Sequence, residues 1–335
     1  MSRIPVVFSA TRSFLPYVAV EIHSILASAA PGTTYEFIIL HREWTAEDGD
    51  RIRSMLQGCP DASVRLIDLK ARLQGYSFYV SNRPSLTEES YYRLLIPFIL
   101  PEYDRVIYLD SDMIVLKDLR ELYETDLQGK TVAAARDVSS FIEKTKWKMG
   151  TYREKQLGLT DPYNYFISAT LLMDTARIRR EYTEKQILDL ALSRKWLMHD
   201  QDVLNYLFKD QVLYLDVRWN SLMLLESTDQ CPEPYRTEWI SAHSDPFIIH
   251  YADKKPWTYF DCDRSVWFWR YATETPFFED ILRSMKENFP LNVAEARRWT
   301  VRGCVTCLRC MFRLMGDWWQ RRIANRVCRI LKRDN

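Results

Sequence analysis

The sequence predicts an α/β protein organised on a parallel-type sheet. Three observations carry this expectation. Short apolar runs rich in β-branched and aromatic residues alternate with longer helical stretches, a pattern that folds into a sheet with right-handed crossovers. The chain has 335 residues, 47% of them hydrophobic, enough for one large domain with additions or two small ones. One apolar run, Val106-Ile107-Tyr108-Leu109, ends on Asp110-Ser111-Asp112, and open α/β sheets bind ligands at the carboxyl ends of their strands.

Taken in order, Val6-Val7-Phe8 reads as the first strand and residues 16–28 as a helix. Phe37–Leu40 is a second strand, and residues 45–56 form a helix with Thr45 as its cap. Val64–Ile67 is a third strand. Thr87-x-x-Ser90 resembles a capping start just before Arg93. After the aspartate strand, Leu119–Tyr123 is a helical stretch and Val132–Ala135 another strand, ending on Arg136-Asp137. Residues 139–157 are charged and helical, Ser168–Asp174 is strand-like, and residues 176–195 form one helix. A short helix from Asp200 to Phe208, late strands at 212–216 and 247–251, and an amphipathic helix from Thr275 to Asn288 follow. No internal repeat is visible.

Several classes are excluded or disfavoured. Neither G-x-G-x-x-G nor a Walker-type run occurs among nine glycines, so a nucleotide has to be held some other way. No apolar run reaches the ~18 residues of a membrane span. The start, Met1-Ser2-Arg3-Ile4-Pro5, leads straight into a strand and does not read as a signal peptide. Seven cysteines without paired spacing suit a reduced, cytoplasmic protein.

Charge is unevenly spread. The net charge is +1, yet from Arg297 onward there are 11 Lys/Arg against two Asp/Glu, which leaves the preceding residues at −8. The expected organisation is a catalytic domain over residues 1–290 and a basic, aromatic helical tail over 291–335. Trp299, Trp318 and Trp319 among these arginines suggest attachment to an anionic membrane surface, with a helix packed on the domain as the plain alternative. Cys304, Cys307 and Cys310 lack the histidine or second pair that a zinc site needs. No nucleic-acid-binding motif is present, so no nucleic-acid partner is expected.

Chemistry-bearing residues fall in five segments. Asp110 and Asp112 are two carboxylates one residue apart, and side chains at i and i+2 of an extended chain point the same way. They repel unless a cation lies between them, and a hard divalent ion carrying phosphate oxygens suits them. Arg93 offers a guanidinium to phosphates or to these aspartates. Asp137 stands at a strand end. His199-Asp200-Gln201-Asp202 opens a helix. His250 ends an apolar strand and runs into Lys254-Lys255-Pro256-Trp257, offering a third metal ligand and a charge for phosphate. Each feature has a bland counterpart: a turn, a hydrogen-bonded surface histidine, acids at a helix N-terminus.

In this order the segments resemble glycosyltransferase family 8. The stretches that carry the resemblance are Tyr92-Arg93-Leu94, Val106–Asp112, Tyr165–Asp174, Asp200–Asn205 and His250–Trp257, covering residues 4–290. The resemblance implies a GT-A-type, Rossmann-like mixed sheet flanked by helices. It implies transfer of glucose or galactose from a nucleotide sugar, UDP first, to a surface glycan or lipid-linked saccharide such as lipopolysaccharide, with retained configuration. The implied cofactor is Mn²⁺, with Mg²⁺ as the alternative. Asp110, Asp112 and His250 would hold the metal. Phe14, Arg93, Asp110, Ser111, Asp112 and Lys255 would bind the donor, and Asp200, Gln201 and Asp137 would serve catalysis. The implied location is the inner face of the cytoplasmic membrane. Three departures stand out: Thr11-Arg12 where the family has acids, Ile167 where it has an amide, and a shortened loop between His250 and Lys255. Two rival functions are a haloacid-dehalogenase-type phosphatase, with Asp110 as nucleophile, and a nucleotide-sugar-binding protein without turnover.

Overall fold

The computed structural model describes residues 3–81, 87–141, 149–225, 228–252, 254–259 and 262–288. The chain separates into two compact units, Met1–Ala252 and Asp253–Asn335. In the first, the described strands are β1 (Ile4–Ser9), β2 (Tyr35–His41), β3 (Ala62–Asp68), β4 (Arg105–Leu109), β5 (Met113–Val115), β6 (Val132–Arg136), β7 (Phe166–Asp174), β8 (Val212–Leu215) and β9 (Ile248–His250). The longer helices are α1 (Leu15–Ser28), α2 (Ala46–Met55), α3 (Thr175–Glu181), α4 (Glu184–Leu192), α5 (His199–Phe208) and α6 (Tyr235–Ser244). The second unit contributes α7 (Ser265–Ala272) and α8 (Phe278–Asn288).

Seven strands form one sheet in the order β3-β2-β1-β4-β7-β6-β8, and β5 pairs with β9 in a separate ribbon. The parallel expectation holds for β1 with β2 and β4, β2 with β3, and β6 with β8. It fails at β7, which runs antiparallel to both β4 and β6. The sheet is therefore mixed. The reversal has a consequence for the site: β7 starts where β4 and β6 end. Leu109 lies opposite Thr170, Arg136 opposite Phe166, and the Asp110 N–H bonds to Ala169 O at 2.9 Å. The residues from Phe166 to Ala169 thus share one sheet edge with Asp110 and Asp137.

The core strands are apolar because both faces are covered. All six residues of β1 are buried, as are Phe37 to His41 of β2. The helix expected over 176–195 is two helices. The capping box of Thr183 with Gln186 starts α4 afresh, and Tyr182 between them is extended. Thr45 caps α2 as expected, through a reciprocal bond pair with Asp48. Thr87 makes no side-chain cap; the segment Glu88–Leu95 that it opens is a 3-10 helix. Of the expected 139–157 helix, residues 142–148 lie outside the described residues, and helical turns fill 149–157. The tail over 291–335 also lies outside them. No described helix is long and apolar enough to cross a membrane.

Candidate active site

The strand order reverses between β1 and β4, and the candidate site is built at their carboxyl ends. Ser111 ties the two strands, its hydroxyl donating to Ser9 O at 3.0 Å. β4 stops at Leu109, so Asp110 and Asp112 sit on the turn into β5 and not on one extended strand. They converge all the same. β9 lies against β5 with His250 opposite Met113, and one ligand atom each from Asp110, Asp112 and His250 lies within 4.8 Å of the others. His250 Nε2 stands 3.3 Å from Asp112 Oδ1.

This donor set fits a divalent cation. Two carboxylates and an imidazole supply hard oxygen and borderline nitrogen ligands, and three protein ligands leave positions for substrate oxygens. The acids crowd here with a further carboxyl, Glu21 of α1, which is wholly buried. Burial first, and the charge of Asp112 second, raise Glu21 well above the ordinary carboxylate range. Glu21 thus keeps its proton, and a cation at the triad would offset the charges of Asp110 and Asp112.

Arg93 joins the triad to the rest of the site. Its Nη2 meets Asp110 Oδ1 at 2.7 Å and its Nε meets Asp200 Oδ2 at 3.0 Å. Nη1 donates to Ser168 O at 2.5 Å and to Ser168 Oγ at 3.2 Å. The guanidinium stacks over Tyr108, 4.3 Å from its ring centre, and Tyr108 itself donates to Asp110 Oδ1 at 3.0 Å. Burial opposes the Arg93 charge, but Asp110 and Asp200 outweigh it and raise its pKa.

Beyond Arg93 the network continues through α5. Ser168 Oγ donates to Asp200 Oδ2 at 3.2 Å. Gln201 accepts from the Ser168 N–H at 3.2 Å and donates to Asp137 Oδ2 at 3.0 Å. Asp137 also accepts from Ser139 Oγ and from the Ser140 N–H. The helix is registered on β7 by Asn205, whose amide satisfies both the N–H and the C=O of Phe166 at 2.9 Å. Burial pushes Asp200 up to about 6 against the opposing pull of Arg93. Asp202 is different: its oxygens accept from Tyr152, Tyr165 and the Met198 N–H at 2.7–2.8 Å. It anchors the start of α5, whereas Asp200 is the one that faces Arg93 and Ser168.

Four further residues singled out in the sequence can be located. Phe14 lies on the turn after β1, edge-on to Tyr17 at 5.5 Å. Arg12, where the family has an acid, is held by Asp48 through two bonds of 2.8 and 3.3 Å. Ile167 is buried at the start of β7. Lys255 belongs to the second unit, where its carbonyl accepts from Thr258 and Tyr259 and Trp257 packs on Phe268. Glu21 escaped the sequence reading, because one acid in an amphipathic helix looks like a surface residue.

The model of "Glycosyl transferase family 8" matches residues 5–261. The chain belongs to this family. Among relatives, it is 31% identical over 189 residues to the glycosyltransferase GlyF of Streptococcus pneumoniae, covering 56% of this chain and 42% of that protein. It is 28% identical over 181 residues to general stress protein A of Bacillus subtilis, covering 51% and 60%. To the lipopolysaccharide 1,2-glucosyltransferase of Escherichia coli it is 27% identical over 192 residues, covering 55% and 53%. The matched stretches thus span about half the length of these relatives. The bifunctional glycosyltransferase WbbM superposes with a TM-score of 0.76 at 25% identity, over 84% of this chain and 51% of that one. The galactosyltransferase LgtC, solved with donor and acceptor sugar analogues, shares the fold with a TM-score of 0.65 at 23% identity, over 82% and 96%.

Proposed function

We propose that this protein is a retaining hexosyltransferase that moves glucose or galactose from a nucleotide sugar, UDP-linked in the first instance, to a surface glycan or lipid-linked saccharide. The observation that carries the reading is the convergence of Asp110, Asp112 and His250, coupled by Arg93 to Asp200, Gln201 and Asp137. The phosphatase alternative falls away with membership of family 8.

Asp110, Asp112 and His250 would hold Mn²⁺, which supplies positive charge to the departing diphosphate. The protein's own residues do the rest. Arg93 fixes Asp110 and Asp200 relative to each other, so neither carboxylate has to reorganise as charge develops. Asp200, in its ionised form, stabilises the cation-like anomeric carbon. Gln201 is neutral and clamped at both ends of its amide, which makes it a positioning group and not a nucleophile. Retention then follows from a same-face path in which the departing phosphate oxygen takes the acceptor's proton. Lys255 is proposed as a diphosphate contact, and Phe14 as a platform for the base, on their motif positions alone. Association with anionic membrane through residues 291–335 is a further part of the reading. Truncation before Trp299 is expected to abolish binding to anionic vesicles and spare donor hydrolysis.

The test is a thermal-shift panel of nucleoside diphosphates, UDP-glucose and UDP-galactose with and without Mn²⁺, since a ligand that binds only the folded state raises its stability. The expected result is stabilisation that needs both nucleotide and Mn²⁺, with slow release of free hexose from the preferred donor. Stabilisation without hexose release supports the binding protein without turnover. No Mn²⁺-dependent shift with any nucleotide contradicts the proposal.

A further inference from the structure

The metal-bearing ribbon is too small to hold itself. β5 and β9 are three residues each, paired at Met113–His250, Ile114–Ile249 and Val115–Ile248. Two-stranded ribbons of this length are not independently stable. The pairing is extended at each end by Tyr251 N–H to Asp112 O at 3.0 Å and Leu116 N–H to Phe247 O at 2.8 Å. Backbone groups alternate in direction along a strand, so the N–H groups of Met113 and Val115 face away from β9. Both residues are buried, and buried N–H groups need acceptors.

The acceptors come from a helix. Met113 N–H donates to Glu21 Oε2 at 3.4 Å, and Val115 N–H to Ser24 Oγ at 3.0 Å. Glu21 and Ser24 are three residues apart on α1, hence on one face, and they stand in for a missing strand. The outer edge of β9 is closed by backbone: His250 N–H donates to Ser221 O at 3.0 Å, and Ser221 N–H to Ile248 O at 2.9 Å. Glu21 is a costly choice for the task. Its side chain is wholly buried beside Asp110 and Asp112, and its Oε1 has no hydrogen-bond partner among the described residues. An apolar residue would avoid that cost but leave the Met113 N–H buried and unsatisfied, directly after Asp112 and opposite His250.

We propose that Glu21 is a positioning residue of the metal site, holding Asp112 and His250 in register through the Met113 N–H, with Ser24 supporting it at Val115. The inference rests on the reading of Asp110, Asp112 and His250 as metal ligands. It assigns Glu21 the part of a hydrogen-bond acceptor; its charge is not required.

The experiment is calorimetric titration of Mn²⁺ into the full chain and into Glu21→Gln, Glu21→Leu, Ser24→Ala and Asp112→Asn, each checked for cooperative unfolding. Glutamine keeps an acceptor and loses the acid; leucine loses both. Loss of an outer-sphere partner typically costs about 10–100-fold in metal affinity, so Glu21→Leu is expected to weaken Mn²⁺ binding on that scale while Glu21→Gln stays within about twofold. Ser24→Ala is expected to weaken it less than Glu21→Leu, and it decides the matter if Glu21→Leu does not fold. Unchanged affinity in a folded Glu21→Leu overturns the inference, or in Ser24→Ala if the leucine variant is unfolded. So does a loss in Glu21→Gln equal to that in Glu21→Leu, because the acid and not the acceptor would then matter. The metal reading itself is judged separately: it fails if the wild type does not bind Mn²⁺, or if Asp112→Asn binds it like the wild type.

Discussion

Of the chain's four Asp-x-Asp triplets, two fall in the site segments, Asp110-x-Asp112 and Asp200-x-Asp202, and these two come to opposite ends. The first pair lies on a turn between β4 and β5, where its carboxylates converge with His250 to within 4.8 Å. The second opens helix α5, where residues two apart project to different sides. Asp200 turns to Arg93 and Ser168, and Asp202 to Tyr152, Tyr165 and the Met198 N–H. Spacing that gathers charge on a turn disperses it on a helix. One pair is gathered into a candidate cation site; the other is split between a partner of Arg93 and a structural anchor.

Arg93 is where the two patterns meet, and its removal is expected to have the largest effect. Arg93→Met strips the counter-charge from Asp110 and Asp200 together. Breaking a buried pair from one side typically costs about 3–5 kcal/mol, and donor turnover should be lost in whatever fraction stays folded. Arg93→Lys keeps the charge but not the fork, so it should recover part of the stability and little of the turnover. Denaturant unfolding and donor hydrolysis on both variants check this. Equal turnover in Arg93→Lys and wild type would show that the fork geometry is irrelevant.

The next effect concerns Asp200 in metal-free protein. Its pKa is raised from 3.8 to about 6, so the folded state keeps a proton that the unfolded state releases. Stability from this group is therefore fully present below about pH 4 and is lost as pH rises through about 6, the reverse of a salt-bridged aspartate; the shift corresponds to up to about 3 kcal/mol. The difference in unfolding free energy between wild type and Asp200→Asn should move in that direction over pH 4–6. A flat difference would place the Asp200 pKa near its ordinary value.

The smallest effect is expected at Ile167. It is buried at the head of β7, next to Ser168 of the network. Ile167→Asn should alter the ranking of donor sugars in hydrolysis assays more than it alters the folding midpoint. Identical donor rankings would remove Ile167 as a specificity element.

The legibility of this architecture varied with the kind of information each element needs. β1, β2 and β4 are apolar runs whose burial follows from composition. The direction of β7 is not written in Phe166–Asp174, because an apolar strand buried on both faces reads alike either way. It depends on the connection before it. The break between α3 and α4 was readable in principle from Thr183 and Gln186, a capping pair inside a helical pattern. Helix α6 gave little warning, since Tyr235–Ser244 mixes polar and apolar residues without a clear stripe. In the site, Asp110, Asp112, Arg93, His250, Asp200, Gln201 and Asp137 were each singled out, and contacts within the first unit now connect them. Their assembly was not derivable, because it rests on pairings between segments about 64 to 137 residues apart in sequence. Glu21 was overlooked for the same reason: its partner lies 92 positions away.

The two Asp-x-Asp pairs also supply the most direct test of the central claim, that the turn pair with His250 is the metal site. The measurement is Mn²⁺ binding by calorimetry in Asp112→Asn and Asp202→Asn, alongside the unfolding midpoint of each. The account predicts that Asp112→Asn loses Mn²⁺ binding and keeps its stability. Asp202→Asn should keep Mn²⁺ binding in its folded fraction and lose about 1–3 kcal/mol, the usual cost of disturbing a buried hydrogen-bonded group. Mn²⁺ binding that survives in Asp112→Asn, or that disappears in a folded Asp202→Asn, would contradict it.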